Sequence, residues 1–216
     1  AVILVLVLWK TKKKETEIES EMNDDNGIPF PPEKYRKIVN TTQPLENAVI
    51  DFIKLKEGGL SKDPTDSAAK NPVPDGSGNH TNKGITWNTF NTLGNRLGYN
   101  GNDIKLFYEM PLGIWTKIYK EIYLKPFQNY TLSPVANYYI SLWAWGSGVN
   151  GAKSLLTKIN GTSANLNDKI RTEGELKTLA YLVNERINFY KRLATQKPDL
   201  QKFLNGWTYS AQNFYH

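Results

Sequence analysis

The sequence predicts a mainly α-helical domain with a small β-hairpin and loop region near its start. Three observations carry that prediction. Apolar residues recur at three- and four-residue spacing through most of the chain after residue 44. Residues 60–86 break the pattern, being rich in Gly, Pro, Asp, Asn and Ser. Residues that start and stop helices bracket the periodic segments.

Taken in order, Pro44 follows Thr42 and opens a helix through Leu45, Val49, Phe52 and Ile53. Gly58-Gly59 should end it, since glycine readily takes the left-handed turn that closes a helix. Thr86 reads as the cap of a helix carrying Phe90, Leu93 and Leu97. Ile114, Ile118 and Ile122 mark another helix. Ser133-Pro134 starts one through Ala136, Tyr139, Ile140 and Trp143, with proline in its favoured first turn. Ala152 to Ile159 is a shorter one. Thr172 and Glu175 have the spacing of a capping box and open a long helix through Leu179, Leu182, Ile187 and Tyr190. Pro198 starts a last helix ending near Gly206. No internal repeat is evident.

The 216 residues suffice for one domain with its own core plus an extension. Ala1 to Trp9 are all apolar. Nine residues fall short of the roughly 20 that span a bilayer. The run therefore reads as the end of a membrane anchor or of a signal region, with a buried strand as the alternative. Residues 10–43 read as a polar linker, basic at Lys10 to Lys14, then acidic, then Pro-rich. Residues 44–216 form the compact domain.

Composition excludes several chemistries. There is no cysteine, so no disulfide framework, thiolate metal site or cysteine nucleophile. His80 and His216 are the only histidines. A histidine triad or multi-histidine metal site is thus nearly excluded, and acid–base work falls to carboxylates. No cofactor or metal is expected. The net charge is +6. Residues 1–31 hold four lysines against six acids, so residues 32–216 hold 27 − 4 = 23 basic and 21 − 6 = 15 acidic groups. A basic body favours polyanionic partners, the cell wall among them.

The informative stretch runs from Glu57-Gly58-Gly59 through Asp63-Pro64-Thr65-Asp66 to Thr81-Asn82-Lys83-Gly84-Ile85-Thr86. Val49, Ile53 and Glu57 lie four apart, on one helical face. Glu57 stands where that apolar stripe runs out, near the negative end of the helix dipole. Desolvation and the dipole both disfavour its charged form and should raise its pKa. A protonated carboxylic acid is the proton donor that glycoside cleavage needs. Gly58 and Gly59 leave room for a substrate to approach the backbone. Asp66 can return across a cleft to hold a water or stabilise positive charge, with Thr81 positioning that water. Whether the carboxyls stand close, for retention, or apart, for inversion, is a matter of geometry. Read singly, each residue has a blander role: a helix stop at Glu57-Gly58-Gly59, turn residues at Asp63 and Asp66, a helix cap at Thr86.

Together these residues resemble the signature of glycoside hydrolase family 108, bacterial and phage N-acetylmuramidases. That signature reads Glu-Gly-Gly, then Asp-Pro-x-Asp, then Gly-Gly-x-Thr-x-x-Gly-Ile/Val-Thr. The order Glu, Asp, Thr is also similar to that of phage-type lysozymes. The resemblance implies a lysozyme-like helical fold and hydrolysis of β-1,4 bonds in peptidoglycan. It implies Glu57 as general acid, with Asp66 and Thr81 beside it. Gly58, Gly59, Thr86, Trp143 and Asn150 are the expected substrate contacts. Downstream the likeness is fainter. Leu124 stands for an aromatic, Trp143-Ala144-Trp145 stands where the family often has an aspartate, and Ser210 replaces an arginine. Between Asp66 and Thr81 the family's short link is replaced by the longer loop Ser67 to His80, which can lengthen the cleft, bind a partner or shield the site.

The expected partner is a peptidoglycan strand, with a membrane or virion assembly through the N-terminal segment. The expected location is the cell envelope, on the periplasmic side, or a phage particle. The alternative is a non-hydrolytic wall-binding module on the same scaffold. Nucleic acid ranks last, because no recognition motif or clustered basic helix is present.

Overall fold

The computed structural model describes residues 47, 50, 53, 59–61, 72–78, 80–158 and 162–212. Residues 1–43, and with them the apolar run and the linker, lie outside the described residues. The domain is mainly helical, with a small three-stranded antiparallel sheet near its start, as the sequence predicts.

Asn47, Ile50 and Ile53 are helical, and Ile50 and Ile53 are buried. Strands β1 (Leu60–Ser61), β2 (Thr81–Asn82) and β3 (Ile85–Thr86) follow. The β2–β3 turn is Lys83-Gly84, with φ of 48° and 75°. Two successive positive φ values make the tight turn whose twist matches a hairpin. Helices α1 (Trp87–Leu97), α2 (Ile104–Tyr108) and α3 (Leu112–Tyr119) come next. A π-helical turn (Lys120–Leu124) prolongs α3. Then come α4 (Pro134–Ser147), α5 (Val149–Lys158), α6 (Ser163–Glu173), α7 (Glu175–Gln196), a 3-10 turn (Pro198–Phe203) and α8 (Leu204–Gln212).

Local chemistry accounts for the helix ends. The Thr86 hydroxyl accepts from the Thr89 amide and caps α1. Gly98, at φ 77°, closes it. Gly94 and Gly101 let two backbone segments touch: a Cβ on Gly101 would lie 2.3 Å from the Asn91 carbonyl oxygen. Ser133 caps α4 through the Ala136 amide, with Pro134 in the first turn.

One core joins the sheet to the last helix. It includes Ile53, Ile85, Phe90, Phe107, Trp115, Tyr139, Ile140, Leu179, Leu182 and Ala211. Helix α4 runs through its middle and is buried on most of its surface. That explains its weak amphipathic pattern, since a helix covered all round needs no polar face.

Two expectations are corrected. Thr172 and Glu175 make no capping box. Thr172 ends α6 and its hydroxyl donates to the Asp168 carbonyl at 2.8 Å, while Gly174, at φ 87°, separates α6 from α7. The Glu175 carboxylate instead accepts from the Ser133 hydroxyl at the start of α4. The last helix does not stop near Gly206. Pro198 opens a 3-10 turn, and α8 carries Gly206 in its interior. Helices α2 and α6 were not read from sequence, although each has an ordinary cap, Asp103 and Thr162.

Candidate functional site

The sheet carries Thr81 and Thr86, two of the expected site residues. Its register aligns Ser61, Thr81 and Thr86 across the three strands, and Leu60, Asn82 and Ile85 in the next row. Directly paired residues point to the same side, and neighbours along a strand point oppositely. One face therefore carries a row of three hydroxyls. The other carries Leu60, which is exposed, and Asn82 and Ile85, which pack on the helical core.

That second face is clamped. The Asn82 amide, 2% exposed, donates to the carbonyls of Phe107 at 2.7 Å and Tyr108 at 2.9 Å. The Lys83 ammonium donates to the Met110 carbonyl at 2.7 Å. The Trp115 indole donates to the Lys83 carbonyl at 2.9 Å. The Lys83 amide reaches back to the Gly59 carbonyl at 3.3 Å. The hairpin is thus fixed to residues 107–115 from both its strand and its turn.

The segment before β2 is held to the same helix. Val73 is buried and bridges to Gly78, so residues 73–78 form a tight reversal. At its tip the Ser77 and Tyr108 hydroxyls both donate to the Asp75 carboxylate. The Ser77 hydroxyl and amide, with the Tyr108 hydroxyl, hold the Asp75 carboxyl below the usual carboxylate range. His80 Nε2 hydrogen-bonds Ser77 Oγ at 2.9 Å. Its Nδ1 is buried and unpaired. His80 and Asn82 share a strand face, so this network lies on the clamped side, opposite the hydroxyl row. Within the long loop of the sequence reading, residues 72–78 are therefore a pinned turn.

The expected site residues fall in three places. Glu57, Gly58 and Asp66 lie outside the described residues. Gly59, Thr81 and Thr86 come together on the sheet. Gly59 is exposed, and among the described residues a Cβ there would meet nothing within 4 Å. Thr81 is 7% exposed in the middle of the hydroxyl row. Thr86 belongs to the row by position, while its hydroxyl caps α1 and donates to the Thr89 hydroxyl. Trp143 and Asn150 lie apart, on α4 and α5. Trp143 is fully buried, with its indole nitrogen unpaired, so its ring faces the core and not a solvent-lined wall. Trp145 is only half-buried and packs edge-on against Trp115 and Tyr123. Asn150 is exposed. Sequence reasoning missed Asn82, Lys83, Trp115 and the Asp75–Ser77–His80–Tyr108 network. The Asp75-Gly76 turn signal was available, but its partner Tyr108 is 33 residues away from Asp75.

The described architecture is thus a short sheet with a row of hydroxyls, locked to a mainly helical core. In comparison with known families, residues 50–148 match the Glycosyl hydrolase 108 family, and the chain carries a domain of that family over this span. The family suggests a glycoside hydrolase. No curated protein and no solved structure matches the chain. The matched span takes in Glu57 through Trp143 and stops before Asn150.

Proposed function

We propose that the protein is an N-acetylmuramidase that hydrolyses β-1,4 bonds of peptidoglycan, with Glu57 as general acid. The observation that carries the proposal is the family match over residues 50–148, which takes in both the Glu57-Gly58-Gly59 and the Thr81 to Thr86 motifs. In sequence, Glu57 stands two residues before Gly59, the lead-in to β1. The hydroxyl row of Ser61, Thr81 and Thr86 supports the reading, since a hydroxyl beside the acid can hold the attacking water. In this scheme protonated Glu57 gives its proton to the leaving glycosidic oxygen as positive charge builds on the sugar ring. Asp66 stabilises that charge or orients the water, and Thr81 fixes the water's position. Gly59, which is exposed and has no side chain, lets the glycan approach the backbone.

The test is release of new reducing ends from purified peptidoglycan by the full chain, against Glu57→Gln. Wild type should clear the suspension. The variant should bind without cleaving, with a loss of several orders of magnitude. Wall binding by wild type with no new reducing ends would instead establish a non-hydrolytic binding module.

A further inference from the structure

Lys83 joins a disfavoured backbone conformation to three ties. Its φ is 48°, and among the described residues it is the one non-glycine with a positive φ. A side chain in this left-handed region crowds the following carbonyl, so glycine or asparagine is favoured there. Such outliers persist where the surrounding structure over-determines them, and they gather at functional sites. Here each polar group of the residue reaches a different segment. The amide donates to the Gly59 carbonyl at 3.3 Å. The carbonyl accepts from the Trp115 indole at 2.9 Å. The ammonium, half-buried with its stem, donates to the Met110 carbonyl at 2.7 Å.

The three ties differ in what they require. A tight hairpin turn needs only the backbone geometry, which glycine would supply at position 83 as it does at Gly84. The lysine adds a short, charge-assisted bond to the connection between α2 and α3. Leu60 pairs with Asn82, so the bond from the Lys83 amide to Gly59 is the next rung of the β1–β2 ladder. By holding the turn, the ammonium keeps that amide aimed at Gly59. Gly59 follows Glu57 by two residues, and Thr81 precedes Lys83 by two. Lys83 thus stands between the two motifs on which the proposed reaction draws. It fills an open position of the Thr-x-x-Gly-Ile/Val-Thr pattern, so the motif assigns it no role.

We propose that Lys83 is a positioning residue for glycan cleavage, its ammonium fixing the register between the Gly59 segment and Thr81. The inference rests on the muramidase reading above. The proton donor and the hydroxyl that holds the water must meet the same glycosidic bond at once, and a misplacement of about 1 Å can cost about 100-fold in rate. The ammonium is engaged by a main-chain carbonyl and not by substrate, so its removal lowers kcat and leaves KM alone.

The experiment measures kcat and KM of the full chain on soluble glycan strands prepared from purified peptidoglycan, together with thermal melting. Lys83→Met keeps the stem and the backbone strain and removes the ammonium. Its kcat should fall about 10- to 100-fold, with KM within about twofold of wild type. Lys83→Arg can donate to the same carbonyl and should recover kcat to within about threefold of wild type. Lys83→Gly removes the tie but relieves the strain. It should melt about 2–4 °C above Lys83→Met and still show the low kcat. A merely structural lysine predicts the opposite, with activity returning as stability returns. Should Lys83→Met fail to fold, Lys83→Gly carries the test. Wild-type kcat in Lys83→Met or Lys83→Gly overturns the proposal, as does a raised KM with unchanged kcat, or a Lys83→Arg no faster than Lys83→Met. A wild type that cleaves beside an unimpaired Lys83→Met sinks the role of Lys83 alone. A wild type that releases no new reducing ends sinks the muramidase reading, and the role of Lys83 with it.

Discussion

Replacing Asn82 with alanine tests how the sheet is held. The side chain makes two hydrogen bonds to backbone carbonyls, of Phe107 and Tyr108, and is almost wholly buried. Each is worth about 1 kcal/mol net, and leaving a shielded carbonyl unpaired costs about 1–2 kcal/mol more. The Phe107 carbonyl keeps a long contact with the Met110 amide, at 3.4 Å, so the larger penalty falls on Tyr108. The sum is about 2–4 kcal/mol. For a domain of this size that lowers the melting temperature by on the order of 10 °C. Asn82→Asp should cost at least as much, because a carboxylate offers no donor and faces two carbonyl oxygens. Urea unfolding followed by tryptophan fluorescence measures both variants. A loss below about 0.5 kcal/mol, the range of ordinary surface changes, would mean that the clamp does not hold the hairpin.

Other expectations are as direct. Gly101→Ala would press a Cβ to 2.3 Å from the Asn91 carbonyl oxygen, and backbone cannot swing aside. It should cost about 3 kcal/mol or more, and a chemical melt like that of wild type would contradict it. The Asp75 carboxyl is held below its unfolded value of 3.8 by Ser77 and Tyr108. Its contribution is therefore complete above that value and is lost as pH falls through the folded one. Protease cleavage within residues 72–78 should accelerate below about pH 4, and Asp75→Asn should already show fast cleavage at pH 7. A chain ending at residue 148 would expose Tyr139, Ile140 and Trp143, which are fully buried in the intact fold. It should lack a cooperative melt in circular dichroism. A sharp transition would show that the matched span folds alone.

Much of the helical layout was legible because it rests on local chemistry. Thr86, Ser133 and Pro134 announce their helices by capping rules that act within four residues. Ile114, Ile118 and Ile122 repeat at the helical period, and Ile118 is fully buried. The failures share a cause. Thr172 and Glu175 have capping-box spacing, but Gly174 breaks the chain between them and Ser133, 42 residues away, draws the Glu175 carboxylate. Trp143 and Trp145 read alike in sequence. Only the packing of α4 against both halves of the domain decides that the first is core and the second half-exposed. On the site, the hairpin was expected near Thr81, while its anchors Asn82 and Lys83 were not, because their acceptors are main-chain carbonyls and main-chain carbonyls leave no trace in sequence. Glu57, Gly58 and Asp66 lie outside the described residues, so their expected roles rest on motif and family.

The π-helical turn after α3 has a geometric consequence for the aromatic rings there. Trp115, Tyr119 and Tyr123 recur every four residues, and successive rings stack at 5.5 and 5.9 Å. In an ordinary helix each four-residue step overshoots a full revolution by about 40°, so a third ring would drift out of line. The wider turn at 120–124, closed by the Lys125 amide on the Lys120 carbonyl at 2.8 Å, rotates less per residue and cancels that drift. Removing one residue from the turn would restore regular winding, swing Tyr123 out of the column and re-aim the chain that follows by about 100°.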